Sequence, residues 1–192
     1  MGFFMFNWLK NRKKLIIVAP HRIIAREVYR GDYRRILKDA DKMEQMCNKR
    51  YSDLYPGAHA LAHTQITDYD PLRFFVNSNG QIFMNPKIVR REDTIHVREG
   101  CVSFPNRPPK KLYRSRRIEV TYETLDDLKD VEQRTGWLSK QAAQVFQHEI
   151  DHLDGKYIYD GALTPAPHRS DLRDTGDGVS TSPLARGKSN VS

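Results

Sequence analysis

Residues 139–155 read SKQAAQVFQHEIDHLDG, and the prediction of the fold begins from this segment. Apolar residues recur in it at spacings of three and four, which is typical of an amphipathic helix, and Gly155 suits the position that ends one. We therefore predict a helix over 139–154. At about 100° of rotation per residue, the face predicted to be buried holds Leu138, Ala142, Val145, Phe146 and Leu153. The face predicted to be solvated holds Lys140, Gln144, Gln147, Asp151 and Asp154.

Three ionisable side chains of this helix lie at or near its apolar side. His148 and His152, one helical turn apart, share the margin of the predicted buried face, and Glu149 falls near its centre. A buried carboxylate needs a partner, because an unpaired charge is costly in the interior. In the pattern HExxH the two imidazoles bind one metal ion and the glutamate reaches its water. The alternative is two ordinary helix histidines, with Glu149 paired to a nearby arginine or lysine.

Outward from the helix, Cys101 is the candidate for a third metal ligand. It stands in EGCVSFP, residues 99–105, within a proline-rich loop predicted over 99–109. A thiolate there completes a Cys-His-His set that leaves one position for water. Taken alone, Cys101 fits a buried structural thiol better than a metal ligand.

The remaining secondary structure is predicted to be one helix and several strands. Apolar residues at helical spacing predict a helix over 36–54, which Tyr55-Pro56-Gly57 ends. The turn sequence NSNG at 77–80 predicts a hairpin between its flanking strands. The predicted strands are 73–76, 81–84, 86–90 and 117–122. The order of helix, strands and helix predicts an α+β fold, with a mostly antiparallel sheet packed around a central HExxH helix.

Length and composition predict one domain with an extension at each end. The chain of 192 residues suits a single ordinary core. We expect an N-terminal extension at 1–20, a catalytic domain at 21–162 and a disordered tail at 163–192. The tail is nearly free of large apolar residues, so it cannot bury enough surface to offset the entropy lost on ordering.

Charge and cysteine content indicate which partners and which compartment suit the protein. The net charge of +8 favours contact with polyanions. Two cysteines, Cys47 and Cys101, do not make a disulfide scaffold and favour a reducing compartment. The first residues place apolar side chains before basic ones, the reverse of a secretory signal, and no apolar run has membrane-spanning length. We expect a cytoplasmic monomer that does not enter the membrane.

Two segments together resemble those of the peptide deformylase family. They match its EGCxS loop and its QHExDHLxG helix, the latter at 147–155. A third family motif, GxGxAAxQ, has a weaker counterpart in AHALAHTQ at 58–65. The resemblance covers about residues 20–161. It implies a metal-dependent hydrolase that removes the N-formyl group from the initiator formyl-methionine of new polypeptides, releasing formate. The basic charge of the chain also suits an enzyme that meets new polypeptides near the ribosome exit, and the alternative is that the basic tail is a solvated linker.

The resemblance also implies a role for each matching residue. Cys101, His148 and His152 would hold the metal, which is Fe²⁺ in the family, with Zn²⁺, Ni²⁺ or Co²⁺ as replacements. Glu149 would act as general base and then general acid. The Gln65 side chain and the Val102 N–H would stabilise the oxyanion. The residues implied in substrate binding are His59 and Ala60, which would pair with the peptide backbone, and Arg107.

Three departures from the third motif bear on these expectations. Ala58 and Ala60 replace glycines and restrict the backbone. His63 replaces a small alanine; it is a fourth metal ligand, a partner for Glu99 or, the interpretation we favour, a packed histidine without a chemical role.

Two other functions fit parts of the sequence. One is a zinc peptidase of the HExxH type, in which Cys101 would be incidental. The other is a non-catalytic, metal-bearing module that binds RNA or the ribosome through its basic surface.

Overall fold

The computed structural model describes residues 22–47, 59–125 and 130–160. The predicted N-terminal extension at 1–20 and tail at 163–192 lie outside these ranges. So do Ala58 and the sequence Tyr55-Pro56-Gly57 that is predicted to end the first helix.

The described residues form two α-helices and one five-stranded sheet. All pairings between neighbouring strands are antiparallel, in the spatial order β1-β2-β3-β4-β5. The elements are α1 (Tyr33–Cys47), β1 (Ala60–Ala62), β2 (Phe74–Asn77), β3 (Ile82–Glu99), β4 (Lys110–Leu125), β5 (Val131–Ser139) and α2 (Lys140–Leu153). Short 3₁₀ turns occupy Arg30–Asp32 and His63–Gln65. The prediction of an antiparallel sheet with helices is confirmed.

The predicted hairpin is present, and the other predicted strands are parts of longer ones. Phe74 pairs with Met84 across the turn, as expected. Residues 86–90 and 117–122 lie within the long strands β3 and β4, which pair with each other up to the cysteine loop. The prediction missed two strands. β1 has only three residues, and β5 is exposed at most positions, so neither shows the alternation of polar and apolar residues that marks a half-buried strand.

Strand β2 lies between the two helices. Its alternate side chains point to opposite faces of the sheet: Phe74 and Val76 belong to the apolar cluster that includes Ile36 and Met43 of α1. Phe75 belongs to the cluster that includes Phe146 of α2. The sheet therefore has a helix against each face, and α2 is held by an aromatic core.

The start of α1 and the end of α2 lie close to the predicted positions. The predicted buried face of α2 agrees with the structure less well. α1 begins at Tyr33, three residues before the predicted start, and α2 ends just before Gly155, whose φ of +69° suits glycine. The predicted buried face is wrong at two positions: Ala142 is exposed and Gln147 is only 2% exposed. The Gln147 amide accepts from the Ser115 N–H and donates to its carbonyl, both at 3.0 Å, so these hydrogen bonds satisfy it in the interior.

Candidate metal centre

Three ligand atoms from two segments of the chain converge. The Sγ of Cys101 lies 3.3 Å from the Nε2 of His152, which lies 3.1 Å from the Nε2 of His148. All three atoms lie within 4.8 Å of one another. Helix α2 places the two imidazoles one turn apart, and the loop between β3 and β4 brings the thiol to them.

The orientation of the His148 ring is set by a buried carboxylate. Glu99 Oε2 lies 3.0 Å from the Nδ1 of His148. A carboxylate accepts hydrogen bonds, so it holds the proton on Nδ1 and leaves the lone pair of Nε2 facing Cys101 and His152. This is the tautomer that a metal ligand requires.

Arg114 on β4 holds that carboxylate in place. Its Nε and Nη2 donate to the two oxygens of Glu99 at 2.9 and 2.8 Å, and its Nη1 donates to Asp151 at 2.5 Å. Burial alone raises the pKa of Glu99, but the hydrogen bonds from Arg114 and His148 outweigh it and hold the pKa at about 2. Glu99 is therefore a permanent anion that accepts a hydrogen bond from the Nδ1–H of His148.

Glu149 is buried and only partly satisfied. It is 4% exposed, and its Oε2 has no hydrogen-bond partner among the described residues. Burial raises its pKa to about 7. The Nδ1 of His152 is likewise without a partner in this part of the chain. Buried polar atoms are almost always hydrogen-bonded, so an unpartnered carboxylate oxygen beside a Cys-His-His set fits a site that holds a divalent cation and a polar ligand.

The centre lies at the base of an open cleft of about 1010 Å³. The cleft is bounded by the start of β1, the cysteine loop, the β3–β4 hairpin and the first turns of α2. Every predicted site residue except His152 lines it, namely His59, Ala60, Gln65, Cys101, Val102, Arg107, His148 and Glu149. His152 is 1% exposed and lies behind the cleft wall.

The Gln65 amide is held in one orientation. Its Oε1 accepts from the Ala62 N–H at 2.8 Å, and its Nε2 donates to the Ser103 hydroxyl at 3.0 Å. The amide nitrogen therefore faces the cysteine loop, with a second N–H still available. The Val102 N–H, on the same loop, donates to no acceptor in the part of the chain that the structure describes. These two groups can donate hydrogen bonds to a ligand in the cleft.

Arg107 is positioned by two aromatic rings. Its guanidinium lies 5.1 Å from the ring centre of Phe104 and 5.0 Å from that of Tyr159. The Tyr159 hydroxyl donates to the Pro108 carbonyl at 2.9 Å. These contacts hold Arg107 at the mouth of the cleft.

His63 is packed and lies outside the ligand group. It is fully buried, stacks on Phe74 and accepts at Nδ1 a hydrogen bond of 2.8 Å from the Leu72 N–H. Its Nε2 lies 3.4 Å from Asp39 on α1. The suggestion that His63 pairs with Glu99 is therefore wrong, since Glu99 is bonded to Arg114 and His148.

Ala60, which replaces a family glycine, causes no backbone strain. It pairs with Asn77 on β2 and is not among the described non-glycine residues with positive φ. The concern about substituted glycines therefore does not apply here, while Ala58 lies outside the described residues.

The residues that support the ligands are not predicted from the sequence. Arg114 and Asp151 form the buried network described above, and Thr64 donates from its hydroxyl to the His152 carbonyl at 3.1 Å. No local pattern marks an arginine on a distant strand. The one available indication is Glu99, because a carboxylate next to a metal-binding loop requires a cation.

Comparison with known proteins points to one family. The family model described as polypeptide deformylase matches residues 23–166. A curated peptide deformylase of Thermus thermophilus is 36% identical over 99 residues, covering 52% of this chain and 48% of that protein. That alignment therefore spans about half the length of the relative. A peptide deformylase of Thermotoga petrophila is 33% identical over 150 residues, covering 76% of this chain and 87% of that protein.

Solved structures agree with the sequence matches. The crystal structure of a peptide deformylase from Thermus thermophilus superposes with a TM-score of 0.59 at 31% identity, covering 74% of this chain and 82% of that one. A separate observation concerns membranes: neither described helix has the length and apolar character needed to span one.

Proposed function

The chain belongs to the peptide deformylase family, and on that premise we propose that it hydrolyses the N-formyl group of formyl-methionyl peptides, releasing formate. One observation carries the proposal: the Cys101, His148 and His152 ligand atoms converge at a cleft that Glu149 also lines, and the Oε2 of Glu149 has no hydrogen-bond partner among the described residues. The three ligands would hold a Lewis acid, and the Glu149 carboxylate would accept a proton in the same open cleft.

Cys101, His148 and His152 would hold one divalent cation. When bound, the cation supplies a Lewis acid that polarises the formyl group and makes water acidic enough to react near neutral pH. A thiolate with two imidazoles suits several first-row metals. We propose Fe²⁺, with Zn²⁺, Ni²⁺ or Co²⁺ as replacements.

Glu149 moves the proton. Its carboxylate accepts a proton from the attacking water as the water oxygen bonds to the formyl carbon. It then gives that proton to the amine nitrogen as the carbon–nitrogen bond breaks. A pKa of about 7, raised by burial, suits a group that must both accept and donate near neutral pH.

Gln65 and Val102 would stabilise the charge that develops on the formyl oxygen. Hydrogen bonds from Ala62 and to Ser103 already orient the Gln65 amide, so one of its N–H groups can donate without reorganisation. The Val102 N–H would be the second donor.

The edge of β1 would bind the peptide backbone. Among the described strands β1 pairs only with β2, which leaves its other edge for an added strand from the substrate, beginning at His59 and Ala60. Ile95 and Val145 line the same cleft and offer an apolar wall for the methionine side chain. Arg107 at the cleft mouth would contact the peptide that follows.

We propose a cytoplasmic monomer with its catalytic domain over 21–162, which the family match over 23–166 supports. The net charge of +8 supports an encounter with new chains near the ribosome exit.

The test is formate release from formyl-Met-Ala-Ser by anaerobically purified protein loaded with Fe²⁺ or Co²⁺. Glu149→Gln should lower kcat by about 10²–10⁴-fold and still bind metal. Cys101→Ser should weaken metal binding, whereas a zinc peptidase with an incidental cysteine would keep it.

The matched control is Glu132→Gln, which makes the same chemical change at an exposed residue of β5. Wild-type protein that folds, binds metal tightly and releases no formate would overturn the proposal and favour the binding module.

A further inference from the structure

Every exposed charge that lines the cleft is positive. Arg98, Arg107, Arg116 and Lys140 line it and are exposed. The two acidic residues of the lining, Glu99 and Glu149, are only 5% and 4% exposed. Glu99 is already bonded to Arg114 and His148. A ligand entering the cleft therefore meets cations at the rim and no exposed carboxylate.

No carboxylate in the described parts of the chain neutralises these cations. Within the ranges that the structure describes, none of the four lies at ion-pair distance from a carboxylate. Arg117, the neighbour of Arg116 on β4, faces away and pairs with Glu92 at 2.9 Å. The positive charge of the cleft is therefore free to act on a ligand.

The backbone of Lys140, at the rim of the cleft, has an unusual conformation. Its φ is +53°, at the junction of β5 and α2. The other described non-glycine residues with positive φ are asparagine or aspartate, which adopt this conformation more readily than lysine does. The backbone strain and the cleft-lining position of Lys140 coincide, which is typical of residues kept for a binding role.

The position of Lys140 also places it along the substrate path of the proposed function. The Nε2 of Gln141 lies 3.3 Å from that of His59, so the first turn of α2 meets the start of β1. A peptide paired with β1, with its formyl end near Gln65, runs antiparallel to β1 and passes His59 with the residues that follow methionine. Those residues approach the cationic rim.

We propose that this cleft selects formyl peptides with aspartate or glutamate in the residues that follow the formyl-methionine. The inference rests on the proposed deformylase function and adds the charge class of its substrate. Several exposed ion pairs, each weak alone, act together in an open cleft and steer an acidic peptide toward it.

The experiment compares three peptides with different charges in the last two residues: formyl-Met-Ala-Asp-Glu-amide, its isosteric Asn-Gln analogue and a Lys-Lys analogue. The acidic peptide should have a kcat/KM about tenfold above the Asn-Gln peptide, through KM, at about 20 mM salt. At about 500 mM salt the ratio should approach one. Equal values for the acidic and Asn-Gln peptides, or a ratio that ignores salt, would overturn the proposal.

Variants assign the preference to the rim. Arg116→Gln and Lys140→Gln should each lower the ratio of acidic to Asn-Gln peptide about two- to threefold. The control Arg34→Gln removes the same charge from an exposed position on α1 outside the cleft and should keep the wild-type ratio. An unchanged ratio in both cleft variants would contradict the assignment.

A binding measurement separates failure of this inference from failure of the proposed function. Fluorescence anisotropy of labelled, unformylated peptides reports charge selection without turnover. If no formyl peptide is hydrolysed but the acidic one binds more tightly, the deformylase proposal fails and the charge selection stands. Tight binding of single-stranded RNA, with no difference between the peptides, would assign the cations to nucleic acid instead.

Discussion

The two sides of the cleft are built on different principles. On one side, the cysteine loop and α2 present side chains: two imidazoles, a thiol and a carboxylate, supported by the buried ions Glu99 and Arg114 and the partly buried Asp151. On the other side, residues 59–65 present mainly backbone groups, the edge of β1 and one amide held by the Ala62 N–H.

This difference explains why the EGCxS loop and the QHExDHLxG helix match the family motifs more closely than the segment at 58–65 does. A side chain that must bind a metal or move a proton cannot be exchanged for another type, and the buried charges around it need their partners. A backbone edge tolerates side-chain changes that keep the same φ and ψ. Ala60 keeps an ordinary conformation, and the imidazole of His63 finds its own partners in Leu72 and Asp39. The residue types on the backbone side can therefore vary while the shape is kept.

The largest effect should follow from breaking the charge network on the side-chain side. Arg114→Leu leaves the buried Glu99 and the partly buried Asp151 without their cation and should lower the free energy of unfolding by about 3–5 kcal/mol, measured by urea denaturation. Arg116→Leu, two residues along β4 and exposed, is the matched control and should change it little. If Arg114→Leu does not fold, Arg114→Lys, which keeps the charge but not the bidentate bond, should be less stable than wild type. Equal stability of the Arg114 and Arg116 variants would contradict this account.

The next effect tests the one amide on the backbone side. Gln65→Ala should lower kcat for formyl-Met-Ala-Ser by about 10²–10³-fold, because the proposed oxyanion donor is lost. Ser103→Ala removes only the second hydrogen bond of that amide and should cost much less in a formate-release assay. If the two variants lose activity equally, Gln65 only holds the loop and does not contact the substrate.

A smaller effect concerns the pH dependence of His63. Burial lowers its pKa below the ordinary 6.5, and the His63 hydrogen bond holds the pKa of Asp39 below its usual range. The folded state therefore binds fewer protons than the unfolded state below about pH 6.5. The stability present above that pH is lost on acidification, with a slope of up to about 1.4 kcal/mol per pH unit from this group.

His63→Gln should flatten the slope of the free energy of unfolding against pH between about pH 6.5 and 5. The measurement is urea denaturation of the variant and of the wild type across this pH range. Asp39, Arg35 and Lys42 face His63 and remain in both proteins, as do all other ionisable groups. His96→Gln, at an exposed position, should leave the slope as in wild type. A wild-type slope in His63→Gln would show that this histidine is not buried as a neutral group.

The smallest effect is expected at the rim, where α2 begins. Lys140→Gly relieves the positive φ and should raise the free energy of unfolding by about 1 kcal/mol, since relief of strain exceeds the entropy cost of glycine. Lys140→Ala keeps the strain and serves as the control. The two should differ in thermal midpoint, and equal midpoints would mean that the backbone at Lys140 is not strained.

The sequence alone was sufficient for the local features of this protein. The spacing of His148, Glu149 and His152 follows from one helical turn, and the hairpin at 77–80 follows from its turn residues. The helix bounds of α2 follow from apolar spacing and from Gly155. Each of these depends on residues only a few positions apart, for which backbone geometry is the same in every fold.

The distant groups that support and surround the site depend on the tertiary structure. Arg114 reaches Glu99 because β3 and β4 pair along most of their length, and Gln147 is buried because β4 offers it a donor and an acceptor. Lys140 lines the cleft because β5, a strand without an apolar pattern, leads directly into α2. These contacts arise from the packing of the whole sheet against α2, which hydrophobic periodicity along the chain does not encode.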